Sequence, residues 1–136
     1  MLNAVIDTNV LVSGLLTAQG NPAQIIDSFC DRKFNLLYCS EILEEYHDVL
    51  FREKLGLEIT SVEVLLDEVC RIGLPVISVT SDIHLMDEDD RIFYDTAKSG
   101  GALLITGNVK HYPHEPFIIS PAAFVKMLNH AELIEI

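Results

Sequence analysis

The sequence predicts an α/β protein, a three-layer α/β/α sandwich with a mostly parallel central sheet of about five strands. Two observations support this prediction. Short apolar runs alternate along the whole chain with segments whose apolar residues recur at helical spacing. The length of 136 residues also suits one such sandwich with a sizeable core. We therefore expect residues 1–136 to form a single domain.

A strand and a helix open the chain around an acidic residue. Residues 4–6 form an apolar run that stops at Asp7. Apolar residues then recur at helical spacing, which predicts a helix capped by Thr8 or Asn9. A second helix is expected to begin at Asn21, where an N-cap, a proline and a glutamine form a capping box. Its predicted apolar face consists of Ala23, Ile26, Phe29 and Cys30.

The middle of the chain is expected to add a strand and two helices. Residues 34–39 form the second apolar run, and Ser40 is suited to cap the helix after it. Thr60 and Glu63 form another capping box, and the helix that they open is expected to end at Gly73. The inward side of that helix is predicted to be Val62, Leu65, Leu66 and Val69.

The last part of the chain supplies the remaining elements. Strands are predicted at residues 75–79, 102–106 and 117–119. A helix that follows the acidic segment is expected to stop at Gly100-Gly101, and the last helix to begin at Ser120-Pro121. We expect the tail, residues 133–136, to add an edge strand or to face a partner.

Composition and charge limit the classes of function. The chain is 49% hydrophobic and carries a net charge of −12, which argues against binding nucleic acid through a broad basic face. An enzyme in which a metal cation recruits phosphate remains compatible with this charge. Because the apolar runs are short and no signal peptide is visible, we expect a cytoplasmic protein without a membrane span. Cys30, Cys39 and Cys70 lack metal-type spacing, so we expect buried, reduced thiols.

Two acidic residues stand out by their position. Asp7 ends a predicted strand, and ligands of parallel α/β sheets bind beyond the carboxyl ends of the strands. Glu45 lies within the apolar stripe of the helix after Ser40, whereas Glu44 lies on its solvated face. A carboxylate on an apolar stripe is costly unless it is paired or binds a cation, so Glu45 is the better candidate.

The acidic segment 82–90 holds a third candidate. Several of its acids are explained by a favourable interaction with the N-terminus of the following helix. Asp90, however, lies on the face of that helix which packs inward, and Asp89 is the second choice. Asp95 points elsewhere on the helix and is expected to be exposed.

These carboxylates come from separate strand–helix units and are expected to converge. Asn108 follows the fourth predicted strand and a glycine turn, so it reaches the same edge as Asp7, Glu45 and Asp90. Clusters rich in oxygen ligands suit Mg²⁺ or Mn²⁺. The reaction that such a site supports best is phosphodiester hydrolysis, in which the cation activates water and offsets charge on the leaving oxygen.

The sequence resembles the PIN-domain family, which comprises small metal-dependent ribonucleases and includes many toxins of toxin–antitoxin pairs. Residues 5–11 (VIDTNVL) look like the opening strand of the family with its first acid. Residues 40–46 (SEILEEY) look like the second motif, whose acid falls on Glu45. Asp90 and residues 101–107 (GALLITG) look like the third motif and the following strand. The fourth acid of the family, usually Asp, falls on Asn108, and the chain departs from the pattern there.

The resemblance implies a Mg²⁺- or Mn²⁺-dependent endoribonuclease that acts as the toxin of a toxin–antitoxin system. It implies that Asp7, Glu45 and Asp90 bind the metal, and that Asn108 and Thr106 complete the catalytic set. The implied partners are an RNA substrate and a small antitoxin protein, and a homodimer is compatible with this interpretation.

Three alternative interpretations share parts of this pattern. A phosphotransfer receiver domain would need a phospho-accepting Asp at the end of a middle strand, where Cys39 and Thr80 stand. A phosphatase of the haloacid-dehalogenase type would need a second Asp where Asn9 stands. The remaining alternative is a catalytically weak PIN-like protein that acts mainly as a binding module, which Asn108 favours.

Overall fold

The computed structural model describes the backbone of residues 1–135 and the side chains of residues 1–133. This part of the chain forms five β-strands and six α-helices. The strands are β1 (Asn3–Ile6), β2 (Asn35–Tyr38), β3 (Leu74–Pro75), β4 (Leu103–Ile105) and β5 (Ile118–Ile119). The helices are α1 (Thr8–Leu16), α2 (Asn21–Cys30), α3 (Ser40–Leu50), α4 (Ile59–Ile72), α5 (Arg91–Gly100) and α6 (Pro121–Glu135). Short 3-10 turns occupy Glu53–Leu55, Glu88–Asp90 and Val109–His111.

The strands form one sheet in the order β3-β2-β1-β4-β5, and every neighbouring pair is parallel. This arrangement confirms the predicted α/β sandwich with a parallel sheet of about five strands. The most buried strand, β1, lies in the middle, and its register with β4 pairs Ile6 with Ile105. The residues that follow β1 and β4 therefore emerge side by side at the carboxyl edge of the sheet.

The helix starts differ from the predicted ones by one or two residues. Asp7 itself is the N-cap of α1, and its side chain accepts a bond from the Asn9 N–H. The N-cap of α2 is Gly20, with a φ of 106°, and not Asn21. Cys39 and Glu58 occupy the N-cap positions of α3 and α4. Helix boundaries vary by one or two residues, so a capping residue in the sequence marks a helix start only approximately.

The helix faces are largely as predicted. In α4 the buried residues are the predicted four, Val62, Leu65, Leu66 and Val69, and Gly73 is the C-cap. In α2 the buried residues are Ala23, Ile25 and Phe29, and Ile26 is partly buried and packs against the core as predicted. The three cysteines are free thiols, as expected, but the prediction that they are buried is correct only for Cys39 and wrong for Cys30 and Cys70, which are exposed.

The edge of the sheet at β3 is shorter than expected. We predicted a strand over residues 75–79, but ladder pairing stops once the Val76 N–H has bonded the Tyr38 carbonyl. Since β2 ends at Tyr38, the chain beyond has no strand to pair with, and Ile77 is 91% exposed. Likewise α6 continues to Glu135, so residues 133–135 do not form the edge strand that was considered, and Ile136 lies outside the described residues.

None of the helices in residues 1–135 is long and apolar enough to cross a membrane.

Candidate active site

Asp7 lies at the centre of the carboxyl edge, and its side chain is almost enclosed, with 5% exposure. Its backbone N–H bonds the Ile105 carbonyl at 2.9 Å, which continues the pairing of β1 with β4. Its Oδ2 accepts bonds from the Thr106 hydroxyl at 2.9 Å and from the Tyr112 hydroxyl at 3.3 Å. Its Oδ1 accepts the longer bond, 3.4 Å, from the Asn9 N–H.

Thr106 ends up beside Asp7 because it follows β4 directly, and it is fully buried. The backbone N–H of Asn108 donates to the Thr106 Oγ1 at 3.0 Å. Since this bond occupies an acceptor position on the hydroxyl, the hydroxyl proton is directed at Asp7. Asn108 itself is exposed. Asn108, the fourth predicted residue of the site, is therefore connected to Asp7 through its backbone N–H and the Thr106 hydroxyl.

Asp90 approaches Asp7 from the start of α5. It is half-buried, whereas Asp89 is exposed, so the structure places Asp90 and not Asp89 at this edge. Burial, followed by the negative charges of Asp7 and Asp87, raises the pKa of the Asp90 carboxyl to about 6. The charge of His111 and a hydrogen bond with Tyr112 act on this pKa in the opposite direction. Asp7 and Asp90 thus form a close pair of like charges.

Glu45 reaches the same edge through α3 but does not join this pair directly. The buried Tyr46 hydroxyl bonds the Ile6 carbonyl, which fixes α3 against the end of β1. The half-buried Glu45 carboxylate then accepts a bond of 2.6 Å from the hydroxyl of Thr8, the neighbour of Asp7. Glu44 is exposed, as its position off the apolar stripe predicted.

Tyr112 is a residue of this site that the sequence analysis missed. Its side chain is 6% exposed, and its hydroxyl donates to Asp7 and lies close to Asp90. Burial, followed by the charges of these two carboxylates, raises the pKa of the phenol well above its usual value, so it stays a hydrogen-bond donor. The signal that could have revealed it is an aromatic hydroxyl just after the polar turn that leaves β4.

Asp95 was predicted to be exposed, and this was wrong. It is 3% exposed and accepts bonds from the Ser81 backbone N–H at 3.2 Å and from the Ser81 hydroxyl. Arg91 donates to the carbonyls of Ser81 and Ile83 and pairs with Glu88. Helical spacing placed Asp95 off the face that meets the sheet, but the loop before α5 folds back and covers it.

The side chains at this edge offer oxygen ligands to a divalent cation. Carboxylates and hydroxyls are hard oxygen ligands, which suit Mg²⁺ or Mn²⁺, and the repulsion that raises the pKa of Asp90 is what a cation relieves. Within the described part of the chain, however, no three acidic, histidine or cysteine side chains are close enough to hold an ion as they stand. The donor chemistry fits the cation, but the third carboxylate, Glu45, is bonded to Thr8.

A parallel α/β sheet with carboxylates at its carboxyl edge defines a class of α/β protein whose ligands, divalent cations among them, bind beyond the ends of the strands. The comparison with protein families agrees with this class, because the model described as "PIN domain" matches residues 3–110. The chain therefore belongs to the PIN-domain family, whose members are generally metal-dependent nucleases. Neither the curated proteins nor the solved structures contain a match to the chain.

Proposed function

We propose that this protein is a Mg²⁺- or Mn²⁺-dependent endoribonuclease that hydrolyses phosphodiester bonds in RNA. The observation that supports it best is the pair of carboxylates Asp7 and Asp90, which lie near the Tyr112 hydroxyl at the carboxyl edge of the sheet of a PIN domain. Burial and the charge of Asp7 raise the pKa of Asp90, so a positive charge nearby would stabilise the ionised pair. A divalent cation supplies that charge.

The cation would be held by Asp7, Asp90 and Glu45. When bound, it lowers the pKa of water and offsets the charge that develops on the phosphate and the leaving oxygen. Thr106 orients the Asp7 carboxylate through the bond of 2.9 Å. Glu45 can join the set by exchanging the Thr8 hydroxyl for the cation, since the two residues are joined by a single side-chain bond.

RNA is the proposed substrate, and the charges at this edge indicate how it is recruited. With a net charge of −12 the chain repels a polyanion over most of its surface. Lys110 and His111 lie exposed on the turn Val109–His111, directly before Tyr112, whose hydroxyl bonds Asp7. A phosphate would therefore be attracted by the bound cation together with this turn.

The biological role that we propose is the toxin of a toxin–antitoxin pair. The resemblance of residues 5–11 and 40–46 to the family motifs supports this role, and the net charge of −12 favours a small basic partner. Co-expression with the protein of a neighbouring reading frame tests the pairing. The expected result is growth arrest by this chain alone and rescue by its partner.

A second candidate is a catalytically weak binding protein of the same family. It is favoured by one observation, namely that the described side chains do not form a ready three-carboxylate metal site. Asn108, at the position where an acid is usual in the family, points the same way. Such a protein would bind RNA or a protein partner without cleaving phosphodiesters at a measurable rate.

Cleavage of a labelled single-stranded RNA with Mn²⁺, with Mg²⁺ or with a chelator distinguishes the two candidates. We expect cleavage with either ion, none with the chelator, and none by Asp7→Asn with either ion. Asp48→Asn is the matched control, because Asp48 is an exposed acid on α3 that bonds only Arg52 among the described residues. Equal cleavage by Asp7→Asn would assign the activity to a contaminant, and no cleavage by the unmodified protein would favour the binding protein. A single-stranded DNA of the same sequence tests the preference for RNA.

A further inference from the structure

The hydroxyl of Tyr112 lies beside two carboxylates of like charge. It donates to the Asp7 Oδ2 at 3.3 Å. Burial and then the charges of Asp7 and Asp90 raise the pKa of the phenol, so Asp90 also lies close to it. The side chain comes from the chain segment after the turn Val109–His111 and is buried there, with 6% exposure. Asp7 and Asp90 lie on separate elements, at the end of β1 and at the start of α5, and Tyr112 lies near both.

The bonds on Asp7 are distributed unequally between its two oxygens. A carboxylate offers about four lone pairs, two on each oxygen. The hydroxyls of Thr106 and Tyr112 occupy both lone pairs of Oδ2, at 2.9 and 3.3 Å. From the described residues, Oδ1 receives a single bond, of 3.4 Å from the Asn9 N–H, which is long for an N–H donor. Oδ1 is therefore the oxygen with capacity left for a cation.

We propose that Tyr112 is a positioning residue for the metal site, which together with Thr106 holds Asp7 through Oδ2 beside Asp90 and leaves Asp7 Oδ1 free to bind a divalent cation. Without this hydroxyl, Thr106 and the Asn9 N–H are the remaining partners of the Asp7 carboxylate among the described residues, and repulsion by Asp90 turns that carboxylate away. A cation must then restore the orientation of Asp7 at the expense of affinity. This inference rests on the proposed function, because it takes Asp7 and Asp90 as metal ligands.

Calorimetric titration with Mn²⁺ alone, without RNA, tests the proposal. Tyr112→Phe keeps the ring and removes the hydroxyl, and we expect the affinity for Mn²⁺ to fall by about 10- to 100-fold, as is typical when a partner that orients a ligand is lost. Tyr94→Phe is the matched control, because the Tyr94 hydroxyl also bonds a carboxylate, Glu115, at 3.1 Å. This control is expected to bind Mn²⁺ within about twofold of the unmodified protein.

Two further measurements separate positioning from a merely structural role. The melting temperature in chelator identifies the temperature range in which Tyr112→Phe is fully folded, and the titration is made well below it. In the unmodified protein, paramagnetic broadening by Mn²⁺ is expected to reach the ring resonances of Tyr112 before those of Tyr94. This second measurement tests the proposal even where the variant does not fold.

Each result has a distinct consequence. Weaker binding by folded Tyr112→Phe, with Tyr94→Phe unchanged, supports the proposal. Equal affinity of the unmodified protein and Tyr112→Phe, or broadening that spares Tyr112, overturns it while leaving the metal site intact. Tight Mn²⁺ binding without RNA cleavage would instead contradict the proposed nuclease function and leave the role of Tyr112 standing. If the unmodified protein binds no Mn²⁺, both are wrong.

Discussion

The hydroxyl of Thr8 donates to the Glu45 carboxylate across a distance of 2.6 Å. Thr8 is the first residue of α1 and Glu45 lies in α3, so this bond joins the two helices that begin at β1 and β2. Because Thr8 directly follows Asp7, the bond brings Glu45 to the edge of the site but gives its carboxylate a protein partner. In the proposed metal site, the Thr8 hydroxyl and the cation therefore compete for the Glu45 carboxylate.

Replacing Thr8 by valine tests this competition. Thr8 is buried, and valine keeps its shape while it leaves the Glu45 carboxylate without that donor. We expect Thr8→Val to lower the free energy of unfolding of the metal-free protein by about 1–3 kcal/mol. We also expect saturating Mn²⁺ to raise the melting temperature of Thr8→Val more than that of the unmodified protein. Thr60→Val, at an exposed site on α4, is the control. A smaller shift in Thr8→Val than in the unmodified protein would show that Glu45 does not bind the ion.

The two neighbouring glutamates of α3 are expected to differ in their effect on rate. Glu45→Gln removes a proposed ligand and should lower RNA cleavage by orders of magnitude, about 10- to 100-fold at the least. Glu44→Gln changes an exposed residue with the same chemistry and should leave the rate unchanged. Initial rates at fixed Mn²⁺ give the comparison. Equal losses of rate in both variants would mean that Glu45 was wrongly chosen over Glu44 as the metal ligand.

Stability in chelator should fall as the pH rises, because of Asp90. Its pKa is raised from about 3.9 to about 6. Between these values the folded state holds a proton that the unfolded state has lost, so stability is lost as the pH rises through that window. We expect a lower melting temperature at about pH 7 than at about pH 5, and a smaller difference in Asp90→Asn. Asp89→Asn is the control and should keep the full difference. An unchanged slope in Asp90→Asn would assign the effect to another group.

Asp95 is expected to matter for stability rather than for metal binding. It is buried and holds Ser81, and thereby the loop that Arg91 also anchors. Asp95→Ala leaves the Ser81 N–H and hydroxyl without that acceptor, which should cost about 1–3 kcal/mol in free energy of unfolding. Asp67→Ala changes an exposed acid on α4 and should cost far less. Urea denaturation of both variants measures the difference, and similar midpoints would contradict the role of Asp95.

Asn108→Asp should restore a carboxylate where the family usually has one. The side chain is exposed at the edge where Thr106 and Asp7 lie, so an added charge there attracts a cation. We expect tighter Mn²⁺ binding, cleavage at a lower metal concentration, and a lower melting temperature in chelator from added repulsion. Calorimetric titration of both forms gives the affinities. Unchanged affinity would exclude the Asn108 side chain from the site.

Local patterns were sufficient to predict much of the fold. The alternation of apolar runs and helical spacing predicted the parallel sheet, and the inward side of α4 was correct residue by residue. The apolar stripe of α3 also correctly distinguished Glu45, which is half-buried, from Glu44, which is exposed. These predictions succeed because hydrophobic periodicity is a property of each element by itself. The helix caps and the length of β3 were less accurate, since packing and the length of the neighbouring strand decide them.

The sequence by itself determined the fold class and the acids that lie at the carboxyl edge of the sheet. Only the tertiary structure decided how those acids are bonded, because the partners are distant along the chain. Thr8 meets Glu45 and Tyr112 meets Asp7 only when separate elements pack together, and no spacing rule predicts such pairs. The burial of Asp95 has the same origin, since a folded-back loop covers a helix face that its own pattern marks as polar.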